Sequence, residues 1–115
     1  MDELVITGIC DLLNQKKHIG IIRYTIKACT YISMNYEFIK KSQYSMKILQ
    51  SMMRLLDTMN TKEDKYNITL TIKNILKGDK ENRMYFLING GTQKFIDIIL
   101  ESTDIKMLEI CIYGI

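Results

Sequence analysis

In Ile68-Thr69-Leu70-Thr71-Ile72-Lys73-Asn74-Ile75-Leu76-Lys77-Gly78 two periodicities compete. The first five residues alternate apolar and polar and are rich in β-branched side chains, which read alone is a strand. Yet Ile72 follows Ile68 by four positions, Ile75 and Leu76 follow Ile72 by three and four, and Gly78 stands just past Lys77 as a helix stop. The segment is decided by its surroundings.

A search for internal similarity finds a shift of 43 residues. Ile9, Cys10, Leu12 and Leu13 become Met52, Met53, Leu55 and Leu56, and a second shift gives Phe95, Ile96, Ile98 and Ile99; all twelve positions are apolar. A looser set obeys the same shift: Cys29, Ile72 and Ile115; Thr25, Ile68 and Cys111; Ile26, Thr69 and Ile112. The register therefore places the ambiguous segment beside Thr25 to Cys29, within a stripe of Ile19, Ile22, Ile26, Cys29 and Ile32 at helical steps of three and four. This tips it to helix. A period of this length falls in the range of roughly 40 to 47 residues of armadillo and HEAT repeats, whereas ankyrin and tetratricopeptide repeats are shorter.

The other segments agree. Leu4, Val5, Ile9, Leu12 and Leu13 share a helical face, as do Ile48, Leu49, Met52, Met53, Leu55, Leu56 and Met59. Gly20 costs about 1 kcal/mol in a helix relative to alanine, so the second helix is expected to begin after it. There is no proline, and the expected interruptions are Asn14 to Lys17, Thr58 to Asp64, Gly78 and Gly90-Gly91.

Composition narrows function. With 115 residues, 47% apolar and 25% charged, the chain is expected to fold as one domain or a piece of one. A formal charge of +3, from 16 basic and 13 acidic side chains, is too mild and too interspersed to point to nucleic acid, despite Lys40-Lys41, Lys47 and Arg54. The apolar runs are too short to cross a bilayer, and Met1-Asp2-Glu3 lacks the positive start of a secretory signal, so a cytoplasmic or nuclear protein is expected. Cys10, Cys29 and Cys111 have neither disulfide-framework nor zinc spacing, and a reducing compartment suits them. His18 is alone, Gly90-Gly91 lacks phosphate-loop spacing, and neither a carboxylate pair nor a Cys/His pair emerges. The expectation is a binding protein with no cofactor and no catalytic or metal-binding residues. Met52, Met53 and Met59 fall on an apolar face and are expected in the core.

From Thr69 onward the sequence resembles the armadillo repeat family. Thr69 to Leu76 is similar to the end of a third helix with Asn74 at the groove asparagine, and Glu81-Asn82-Arg83 is similar to the opening of the next unit. A short helix to Ile88, the turn Asn89-Gly90-Gly91-Thr92, a second helix from Gln93 to Leu100 and a third from Leu108 to Ile115 complete the pattern. Earlier residues join only through the 43-residue shift. Departures exist: the family's tryptophan position holds Lys27, Leu70 and Tyr113, its asparagine position Tyr31 and Asn74, and its usual proline is Gln93. A Trp/Asn ladder for basic nuclear-localisation peptides is thus not expected.

The resemblance implies an all-α, right-handed α-solenoid of about two and a half three-helix repeats, with units of roughly 1–34, 35–77 and 78–115. It also implies a concave surface formed by the third helices and used to hold a protein or peptide. On that surface it puts Arg23, Lys27 and Tyr31, then Tyr66, Leu70 and Asn74, then Glu109 and Tyr113. A compact helical regulator that captures one partner helix is the competing expectation, with a nucleic-acid-binding repeat behind it. The last helix stops before its expected asparagine with an apolar end, which suggests a longer array or one completed by self-association through that C-terminal end.

Overall fold

A computed structural model describes residues 3–14, 18–35, 42–101 and 105–114, and among them the chain forms seven α-helices and no strand. They are α1 (Glu3–Leu13), α2 (Ile19–Ser33), α3 (Ser42–Thr58), α4 (Lys62–Gly78), α5 (Lys80–Ile88), α6 (Gly91–Glu101) and α7 (Ile105–Gly114). The segment with competing periods lies wholly within α4. Ile68, Ile72 and Ile75 are fully buried there and Leu76 nearly so. Thr69 and Thr71 are also buried, which removes the polar-out face a strand would have needed.

Local chemistry sets the helix boundaries. The Thr61 hydroxyl accepts from the Asp64 N–H at 3.2 Å and donates to the Asp64 carboxylate, so α4 starts at Lys62 and most of the loop expected over Thr58 to Asp64 is helix. Asp79 alone separates α4 from α5; its carboxylate accepts from the Glu81 N–H. The Arg83 guanidinium donates to the Leu76 carbonyl at 2.9 Å and covers the end of α4. Gly20 lies inside α2, not before it; in the first turn its missing side chain costs less than in a helix interior.

Gly90 turns the chain from α5 into α6 at φ 77°, a conformation that glycine reaches without steric cost. Helix α6 begins at Gly91, two residues before the expected start at Gln93. A Cβ on Gly91 would overlap the Phe86 ring, which packs edge-on against Phe95 with centroids 5.0 Å apart.

The packing order follows the chain. Helix α1 packs on α2 and α3, α3 on α4, and α6 on α7; α4 lies between α2 and α7, and α5 bridges α3, α4 and α6. One hydrophobic core runs through these contacts from Ile6 and Leu13 through Leu49, Met52 and Ile72 to Phe95 and Cys111. The radius of gyration is 13.1 Å, close to the roughly 13 Å of a globular chain of this length. No helix among the described residues is long and apolar enough to cross a membrane.

Candidate binding groove

Helices α2 and α4 run side by side and are joined by polar contacts spaced along one face of each. Arg23 Nε donates to Asp64 Oδ2 at 2.9 Å, the Thr30 and Thr71 hydroxyls meet at 2.8 Å, and Asn74 Nδ2 donates to Ser33 Oγ at 3.2 Å. Thr71 donates to the Asn67 carbonyl at 2.8 Å, which leaves the single Thr30 hydroxyl proton for the contact with Thr71, the same carbonyl lying 3.3 Å from Thr30. The buried Thr30 and Thr71 hydroxyls are thus both supplied with hydrogen-bond partners, which an apolar neighbour in place of either would not give.

Beside this seam is a groove of about 370 Å³ lined by Lys27, Thr30, Tyr31, Met34, Glu63, Asn67 and Leu70. Lys27 sits 3.1 Å from Glu63 and lies over the Tyr24 ring. The hydrogen bond to Glu63, and then its charge, hold the Lys27 ammonium above its ordinary pKa. Tyr31 is 76% exposed, so its ring is open to a ligand. The side-chain amide of Asn67 has no partner among the described residues, and an amide can both donate to and accept from a peptide backbone.

The eight residues singled out by sequence divide accordingly. Lys27, Tyr31 and Leu70 are brought together in the groove. Arg23 and Asn74 are engaged in the seam between helices, and Tyr66 packs against the core. Glu109 is exposed on α7, outside the groove lining, and the Tyr113 side chain lies outside the described residues. Sequence reasoning missed Thr30, Met34, Glu63 and Asn67. Glu63, Asn67 and Leu70 are separated by four and three positions on α4, a spacing that was available as a signal.

Of the other residues weighed, His18 is exposed at the start of α2 and makes no side-chain cap. Met52, Met53 and Met59 are buried as expected. Lys40 and Lys41 lie outside the described residues, while Arg54 is exposed beside a second, largely apolar cavity of about 610 Å³ between α1, α2 and α3. Burial pushes the Cys29 thiol up to about 12 and the Cys111 thiol up to about 11. Among the described residues no group of three or more His, Cys, Asp or Glu is placed to hold a metal ion. Comparison of the chain with known protein families, curated proteins and solved structures returns no match.

Proposed function

We propose that this chain is a non-catalytic protein-binding module, a short right-handed stack of armadillo-like repeats that holds an extended peptide segment along α2 and α4. The observation that carries the binding reading is the groove itself: the Asn67 amide, without a partner among the described residues, between exposed Tyr31 and partly exposed Leu70. The amide would pair with peptide backbone, Tyr31 and Leu70 would take an apolar side chain, and Lys27 with Glu63 would set the charge preference at one end.

The pattern of burial supports stacking. In the middle block Met52, Met53, Leu55 and Leu56 are all buried. In the first block Ile9 and Cys10 are both half-buried, Leu12 is 43% exposed and Leu13 is buried; in the last, Phe95 and Ile98 are buried and Ile96 and Ile99 less covered. In the second pair the uncovered position thus switches from its first member, Leu12, to its second, Ile99, between the two outer blocks. A stack open at both ends has this property, because each helix uses one flank for the preceding unit and the other for the following one.

Panning a display library of random linear peptides against the wild-type chain tests the function. Enriched sequences are expected, and they should be lost against a Tyr31→Ala/Asn67→Ala variant of unchanged circular dichroism. Recovery of the same sequences by the variant, or no enrichment by the wild type, would count against the groove.

A further inference from the structure

Helix α4 meets α2 through Asp64, Asn67, Thr71 and Asn74, at steps of three, four and three that form one face. Subtracting the 43-residue shift from these positions gives Ile21, Tyr24, Ala28 and Tyr31 on α2. All four are exposed, the two tyrosines to 75% and 76% and Ile21 to 43%; Tyr31 also lines the groove, so a docked copy and a bound peptide compete for it. Helix α2 therefore turns to solvent the face that α4 uses for docking, and its chemistry has changed from carboxylate, amide and hydroxyl to isoleucine, alanine and tyrosine. Next to it α1 exposes Val5 and Leu12 on the face that includes Ile9.

The opposite flank is equally bare. Ile96 and Leu100 on α6, and Ile105 and Ile112 on α7, are exposed, Leu100 to 79%. Clustered exposed apolar side chains rimmed by polar ones mark interaction sites.

Resting on the stacked-repeat reading, we propose that these two faces dock onto each other between copies of this chain, the α6–α7 face of one molecule seating on the α1–α2 face of the next. The occupant follows from contacts already present. Twice within the chain a trailing face receives a leading face, α2 receiving α4 and α4 receiving α7. The free trailing face on α6–α7 is equivalent by the shift to those that receive, and the free leading face on α1–α2 to those received. A second copy carries the missing half of each. The contact is heterologous, so it propagates into open chains or closed rings and does not form a symmetric dimer.

Sedimentation velocity of the 115-residue chain over a range of concentrations reads this directly. The average mass of the wild type should rise with concentration. Leu12→Glu and Leu100→Glu should each be monomeric, and an equimolar mixture of the two should form a 1:1 dimer, since each variant retains the face the other lacks. Tyr24→Lys replaces Leu12→Glu should the latter fail to fold by circular dichroism. A monomeric wild type, self-association of either variant alone, or a mixture that stays monomeric would overturn the proposal. The stack is read separately in the Leu100→Glu monomer, from nuclear Overhauser contacts between α2 and α4 and between α4 and α7. If those contacts are present and no mixed dimer forms, the end docking alone falls; if they are missing, the stack falls.

Discussion

Replacing Arg23 by methionine tests the seam between α2 and α4 at its most charged point. The Asp64 side chain is 4% exposed, whereas that of Arg23 is 45% exposed. In Arg23→Met the carboxylate stays buried with the Thr61 hydroxyl as its remaining side-chain hydrogen-bond partner among the described residues. Breaking a fully buried pair by removing one member costs about 3–5 kcal/mol. Here the guanidinium stands partly in water, which can reach the vacated space, so the loss expected is about 1–3 kcal/mol, the range for a buried polar group left short of a partner. In Asp64→Leu the buried charge disappears and Arg23 relaxes into solvent, so adding Asp64→Leu to Arg23→Met should recover part of the loss. Urea denaturation at an unchanged m-value measures each variant, and the double-mutant cycle should give a coupling of about 0.5–3 kcal/mol. An Arg23→Met variant within about 0.5 kcal/mol of the wild type, the range of an ordinary surface change, would refute the reasoning.

Two glycines should respond in opposite directions. Gly91→Ala pushes a methyl into the Phe86 ring and should cost about 1–3 kcal/mol, whereas Gly8→Ala meets nothing within 4 Å in α1 and should stabilise by up to about 1 kcal/mol; thermal melts compare them. Cys29 and Cys111, held protonated by burial, should resist iodoacetamide at pH 8 in the native state and react once unfolded, as counted by mass spectrometry. Their folded values of about 12 and about 11 lie above the ordinary 9.0, so the stability they contribute is complete below pH 9 and is lost as pH rises from there toward 12, because the unfolded thiols ionise first. Replacing Cys29 by alanine should flatten that alkaline loss.

The helical character and the core of the middle block were legible because a 43-residue apolar register constrains many positions at once, enough to override the strand-like look of Ile68 to Ile72; in the outer blocks the same register includes Leu12 and Ile96, which are exposed. The Gly90 turn was legible because positive φ has few solutions. What escaped was chemistry between helices. Asn74 fits a groove position by resemblance, yet its amide reaches across to Ser33, and nothing in the local sequence announces a partner 41 residues away. Two turns earlier on α4, Asn67 takes the open position instead. The Thr61 cap was readable in principle from Thr61-x-x-Asp64, but a polar cluster looks the same whether it is a loop or the first turn of a helix.

The proposed open stack places α4 between α2 and α7, as opposed to a closed bundle. Methyl-resolved nuclear Overhauser spectra measure this most directly. The stacked arrangement predicts contacts from Thr30 to Thr71 and from the α4 isoleucines to the Met107 methyl, with few or none between α2 and α7. A dense set of contacts between α2 and α7 would contradict it.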